Sequence, residues 1–352
     1  MFNIIGGWFH RYFSDPEAVL LFVLLVIGFG VIILMGNILA PVLASIIIAY
    51  FLQWWVVWLQ KHKIPHVVAY PVVYLSFLGL FSVGLLILLP LMWKQLINLF
   101  NEMPIMIQNA KLMALQLIEG HPFFSEQQIN ALTATLMQDI QNWGRMVLSL
   151  SLSSIPGVIA WFIYLILVPL LVFFFLKDHG KLISWFIGFL PIEHGILTRV
   201  WAEMDEQIGN YIRGKITEIT IVGVATYLVF LYFDLRYRVL LAVLVGLSVV
   251  IPYVGAVVIT IPVLLVGYIQ WKFSANFAYM CLWYFIVQAL DGNLLVPFLF
   301  SEAVNLHPVA IIIAILVFGA FWGFWGVFFA IPLATLVKAV LNAWPRHKVS
   351  IT

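Results

Sequence analysis

An all-α, polytopic integral membrane protein is the fold class this sequence predicts, and three observations predict it. The 352 residues are 64% hydrophobic, with a mean hydropathy of +1.10. Only 9% are charged, where a soluble domain carries about 25%. A globule of this size has too little core to hide that apolar surplus, so the surplus faces lipid. The apolar residues also fall in long runs, of the roughly 20 residues that cross a hydrocarbon core. Together these predict about eight membrane segments, two of them broken or re-entrant, plus a small extramembrane helical region.

The N-terminal membrane helices occupy 1–93. A first span, 18–35, follows Ser14-Asp15-Pro16-Glu17, where Asp15 reads as an N-cap and Pro16 as a first-turn proline. A signal peptide would have a shorter apolar region and a small-residue cleavage site, so this helix is expected to stay. Spans at 38–59 and 66–93 come next, separated by Lys61-His62-Lys63. Across 94–150 the character changes, with Glu102, Lys111, Glu119, Glu126, Asp139 and Arg145 set among apolar residues at helical spacing. An extracytoplasmic helical region is expected there. The fourth span lies in 151–176 and stops at Lys177-Asp178. Within 177–215, read as cytoplasmic amphipathic helices, Leu197, Val200, Trp201, Met204, Ile208, Tyr211 and Ile212 share one face opposite Glu203, Asp205 and Glu206. That helix is expected to run straight into a fifth span, 216–233.

The C-terminal membrane region, 216–345, differs because its apolar stretches are interrupted near their middles. Ile251-Pro252-Tyr253-Val254-Gly255 divides 239–270, and Asp291-Gly292-Asn293 with Pro297 divides 277–300. Proline removes an amide donor and glycine loosens the backbone, so both stretches are expected to be broken or re-entrant. Two closing spans, 308–322 and 326–341, complete the chain. Between them, Gly319 to Gly326 combines close-packing glycines with tryptophans suited to the membrane interface.

Orientation is read from Lys and Arg, which are in excess on the cytoplasmic side. With both termini inside, Arg11, Lys61, Lys63, Lys177, Lys181, Arg199, Arg213, Lys215, Arg346 and Lys348 are cytoplasmic, against Lys94, Lys111, Arg145, Arg236 and Arg238 outside. Lys272 and Lys338 are unassigned. The net charge of +2 is small and scattered, which excludes a nucleic-acid partner. The lone Cys281 excludes a disulfide framework and reads as a small buried hydrophobe.

The sequence holds no metalloprotease, nucleophile-elbow or phosphate-loop motif, and its histidines are scattered. No enzyme activity, metal or cofactor is expected. Gln288 to Asn293 is the strongest local signal, because a carboxylate and two amides within an apolar stretch mark a functional site by default. Unwound backbone at such a point can hold a solute or ion, and paired interruptions point to a transport site. The candidate substrate- or ion-binding residues are therefore Asp291, Asn293, Gln288, Gly292, Pro252, Tyr253, Gly255 and Pro297. The alternatives are that Asp291 caps a half-helix and that Pro252 is a plain kink. Arg213, Gly214 and Lys215 are candidates for a gate or hinge, or else for positive-inside anchoring.

The order Phe174-Phe175-Leu176-Lys177-Asp178, Tyr211-Ile212-Arg213-Gly214-Lys215, Ile251 to Gly255, Gln288 to Pro297 and Ala330-Ile331-Pro332 resembles the autoinducer-2 exporter (AI-2E) transporter family. Arg11 to Ala18 and Ser301 to Pro308 are similar to a permease branch of that family. The resemblance implies a multi-pass protein of the bacterial inner membrane, a homo-oligomer that is a pentamer by that likeness, and transport of autoinducer-2 or sodium/proton exchange. The expected function is a secondary transporter for a small polar solute, driven by an ion gradient. The rivals are a sodium/proton antiporter, an oligomeric channel and a non-transporting membrane scaffold. The expected partners are the lipid bilayer, the solute or ion, and further copies of the chain.

Overall fold

The computed structural model describes residues 16–118, 125–152, 155–188, 195–252, 254–300 and 306–343. Among the described residues all regular structure is helical, and six helices are long and apolar enough to cross a membrane. A seventh is added if one sharply bent pair counts as a span. Large apolar side chains such as Leu34, Leu80, Leu86, Phe298 and Leu316 are mostly exposed, as lipid-facing residues are. The chain is a multi-pass membrane protein.

Among the described residues six or seven spans stand where about eight are expected, and three stretches differ locally from the expectation. First, α1 (Pro16–Lys61) is one helix of 46 residues, so the spans expected at 18–35 and 38–59 are continuous, with no reversal between them. Gly36, between those two stretches, is a notch: a Cβ there would lie 2.1 Å from the indole Nε1 of Trp322. Pro16 is the first helical residue, and Asp15 lies outside the described residues.

Second, α2 (His66–Val83), a π-helical turn (Gly84–Leu88) and α3 (Leu89–Ile118) succeed one another without a break. Their apolar stretch, His66–Asn109, carries the third span well past Trp93. α4 (Glu126–Leu152) then packs back along α3.

Third, α5 (Ile155–Lys177) is succeeded by α6 (His179–Ile187), with a bend of 82° between Phe162–Lys177 and His179–Trp185. The boundary expected at Lys177-Asp178 is this bend.

The amphipathic section and the fifth span do form one helix, α7 (Gly195–Tyr232). Val200, Met204, Tyr211 and Ile212 are buried along it, whereas Trp201, expected on the same face, is exposed. The interruption at 251–255 is a true break between α8 (Arg238–Ser248) and α9 (Val254–Trp271). The one expected at 291–293 is not a break. α10 (Ala275–Leu290) passes through a π-helical turn (Asp291–Leu295) into α11 (Val296–Phe300), and the apolar span Ala275–Phe300 is continuous. Pro297 crowds the carbonyl four residues back and cannot donate to it, and the wider turn takes up that misfit. The closing helices are α12 (Pro308–Phe328) and α13 (Ala330–Ala343). Gly323, at φ 58° and ψ −133°, turns the chain back inside α12, so this one of the six reaches spanning length only as two joined limbs. Gly326 then approaches so near that a Cβ would lie 1.8 Å from the Phe318 carbonyl oxygen, which makes glycine obligatory there.

The described residues form two compact units, whose boundaries fall inside α2, α5 and α7 and before α11. The first unit holds the described residues up to Leu75, Ile166–Ile216 and those from Val296 on. In it the Tyr50 hydroxyl hydrogen-bonds Asp205 at 2.8 Å, and the Tyr50 ring sits against Gly209.

The second unit holds Ser76–Leu165 and Thr217–Leu295 as far as they are described. Its core joins Phe230 of α7, Leu241 and Val245 of α8, Val263 of α9, and Met280 and Tyr284 of α10. Gly223 and Gly246 bring α7 and α8 into backbone contact. One end of this unit is a polar clamp. Gln270 accepts from the Arg236 amide and donates to the Asp234 carbonyl, both at 2.8 Å, and Gln95 accepts from the Leu240 amide at 2.9 Å. Arg236 pairs with Glu102 at 3.4 Å. The Tyr237 hydroxyl is pushed up to about 12, first by burial and then by the Glu102 hydrogen bond and charge, so it stays a neutral donor through the physiological range.

Candidate functional site

Away from that clamp, the interior of the second unit carries polar side chains on facing helices. α9 and α10 form an antiparallel hairpin whose register is fixed by Gly267 against Phe277 and Met280, and by Thr260 against Tyr284. The Thr260 and Tyr284 hydroxyls are 2.8 Å apart. Gln288, one turn beyond Tyr284, brings its side chain toward the same hydroxyl. Its Nε2 is buried and completes no hydrogen bond of ordinary geometry. Asp291 comes three positions later on that face, with its Oδ1 withdrawn from solvent. Carried further, the hairpin register sets Asp291 level with the 251–255 turn.

The structure treats the expected site residues unequally. Gln288 and Asp291 are half-buried on one face of α10 and its π turn, each with one polar atom withdrawn from solvent. Asn293 is exposed and spends its amide on the Ala289 carbonyl of its own helix, at 2.8 Å. Gly292 is exposed, with no neighbour within 4 Å of where a Cβ would stand. Pro252 and Gly255 form the α8–α9 turn. The Gly255 amide donates to the Ile251 carbonyl at 3.0 Å and the Val254 amide to the Pro252 carbonyl at 2.7 Å. A Cβ on Gly255 would lie 1.8 Å from the Ser248 carbonyl oxygen, so this glycine closes the turn. Tyr253 lies outside the described residues, as do Arg11 to Asp15 and Ser301 to Asn305 of the sequence resemblance.

Pro297 and the three gate candidates belong to the first unit. Arg213 donates to the Asn210 side chain at 2.6 Å. Gly214 is the seat of the Phe300 ring, which a Cβ would meet at 2.8 Å. Lys215 is buried, with its ammonium 5.1 Å from the centre of that same ring. Tyr211 completes the cluster by donating to the Phe328 carbonyl at 2.8 Å.

Sequence reasoning missed Thr226, Thr260, Tyr284 and Glu218. Glu218 is 2% exposed and lies near the start of the fifth span, within an apolar run where ionisable side chains are rare. Its signal was present, a charge two positions inside an apolar run. The hydroxyls had no such signal, because only the packing brings them onto one interior surface.

Long apolar helices with polar side chains on their packed faces define a polytopic membrane protein. Among the described residues no group of three or more His, Cys, Asp or Glu could hold a metal ion. The AI-2E family transporter model matches residues 21–346, and the chain belongs to that family of secondary membrane transporters. It is 46% identical over 351 residues to the protein called "Putative permease PerM" in Escherichia coli K12, covering 99% of each chain. The "Putative transport protein YueF" of Bacillus subtilis is 29% identical over 301 residues, covering 83% of this chain and 80% of that one. A second protein of that bacterium, "Putative transport protein YrrI", is 25% identical over 318 residues, covering 88% and 87%.

Proposed function

We propose that the protein is an ion-gradient-driven carrier of a small polar solute, of the kind of autoinducer-2 or a related metabolite, and that the solute passes Gln288 and Asp291 in the second unit. One observation carries this reading: a carboxylate and an amide, each half-buried with one polar atom withdrawn from solvent, share a face of an otherwise apolar span that also carries the Tyr284 hydroxyl paired with Thr260. Such groups are costly in a bilayer unless they serve a polar passenger. Asp291 is the acid that takes up the coupling ion. Gly214, against the Phe300 ring, is the hinge.

In this reading the protein lies in a bacterial inner membrane, with both termini cytoplasmic and α3–α4 outside. The Arg236–Glu102 pair supports that orientation, since it joins two segments that the Lys/Arg balance assigns to one side. The family resemblance adds a homo-oligomer, a pentamer. Sodium/proton antiport is the second reading, favoured by the carboxylate at Asp291, a ligand type suited to hard cations.

The test is flux in proteoliposomes under an imposed proton gradient, with autoinducer-2 and sodium offered separately to wild type and Asp291→Asn. Gradient-dependent flux that the substitution abolishes while the protein remains folded is expected. Coupled flux unchanged in the variant would remove Asp291 from the mechanism. Currents far faster than a carrier cycle would make the protein a channel, and no flux of either solute would favour a scaffold.

A further inference from the structure

Four threonines of the described helices satisfy their hydroxyls locally. Thr133, Thr135 and Thr260 donate to the carbonyl four residues back, at 2.7–3.0 Å, and Thr335 to the carbonyl three back, at 2.7 Å. Thr226 does not. It is fully buried in α7, and its Oγ1 has no hydrogen-bond partner. A hydroxyl that forgoes its own helix in an apolar core must be answered from elsewhere.

The packing indicates where. Phe230 of α7 stacks on Tyr284 of α10 with ring centroids 6.0 Å apart. The two helices run antiparallel. α7 and α8 fold back at 233–237, α8 and α9 have Arg236 against Gln270, and α9 and α10 form the hairpin described above. Thr226 lies one turn before Phe230 and Gln288 one turn after Tyr284, so both are displaced from the stacked pair in the same direction and on the facing sides. Among the described residues of this unit the Gln288 Nε2 is likewise buried, with only the Tyr284 hydroxyl toward it. The register thus sets the two groups on the same side of the Phe230–Tyr284 stack.

We propose that Thr226 and Gln288 hold a hydrogen-bonding occupant between them: a buried water at rest, displaced by a polar group of the solute during transport. A water needs two or more polar partners, and here the Thr226 hydroxyl and the Gln288 amide supply them, with the Tyr284 hydroxyl beside them. This extends the transport path from α10 onto α7 and rests on the reading that the path passes Gln288.

X-ray radiolytic footprinting of the full-length protein in lipid nanodiscs tests it, since buried water converted to hydroxyl radical oxidises the side chains it touches. Tyr284 and Phe230 should oxidise several-fold faster than Tyr211, which is similarly buried. Thr226→Val and the double variant Thr226→Val/Gln288→Leu should bring both down to the Tyr211 rate, and Thr226→Ser should restore them. Oxidation of Tyr284 and Phe230 no faster than Tyr211 in the wild type would overturn the proposal. So would a higher Tm in Thr226→Val, because removing a dry, unanswered hydroxyl stabilises a core. The flux assay separates this inference from the one beneath it. Labelling that depends on Thr226, with flux unchanged in Thr226→Val, keeps the water and removes the transport path. Loss of flux in Asp291→Asn without labelling keeps the path and removes the water.

Discussion

Two π-helical turns occur among the described residues, and they differ only in what they carry. Gly84–Leu88 ends two positions before Pro90, and Asp291–Leu295 ends two positions before Pro297. The backbone device is the same, one wide turn that absorbs a proline's missing donor and its clash with the preceding turn. Gly84–Leu88 is wholly apolar, with Leu86, Ile87 and Leu88 exposed as lipid-facing residues are. Asp291–Leu295 begins with a carboxylate whose Oδ1 is withdrawn from solvent. A wide turn therefore marks a proline accommodated within a span, and the side chain on it decides whether the place has chemistry.

The strongest way to break that contrast is to remove the carboxylate. Asp291→Ala is expected to lower gradient-coupled flux more than about tenfold, whereas Leu86→Ala at the apolar turn leaves it near wild type; proteoliposome flux compares them. The prolines come next. Pro297→Ala lets the turn relax toward α-helix, and losing the extra residue rotates Asp291 by about 100° relative to α11, so flux should fall severalfold. Pro90→Ala should raise Tm while preserving flux, because its wide turn holds no polar group. Tyr284→Phe deletes the hydroxyl beside Thr260 and Gln288 and is expected to cost about 1 kcal/mol, seen as a lower Tm in detergent. The glycines give the smallest effect. Gly292→Ala and Gly84→Ala both enter open space, and each should stabilise by roughly 0.5–1 kcal/mol, with only the former altering flux.

The membrane class and the helical content were legible because composition alone forbids a soluble core. Gln288 and Asp291 were legible for a related reason: polar groups stand out in an apolar run. The break at 251–255 was readable because Gly255 sits where only a glycine lets the chain fold so tightly against Ser248. The continuity through 291–295 was not, since a proline that ends a helix and one that a wide turn accommodates look alike in sequence. Thr226, Thr260 and Tyr284 are ordinary residues of a span, and what distinguishes them is the partner each finds across the packed interior, or lacks.

The reversal at Gly323 has a consequence for how the chain is made. The helical stretch before it, Pro308 to Trp322, is about 22 Å long at about 1.5 Å per residue, short of the roughly 30 Å hydrocarbon thickness. Its fit against the returning segment depends on Gly326 lying on the Phe318 carbonyl. Neither limb is a complete insertion signal for the translocation machinery while the other is still in the ribosomal tunnel. The two limbs are therefore expected to enter the bilayer together, as one wedge, after the ribosome has synthesised both.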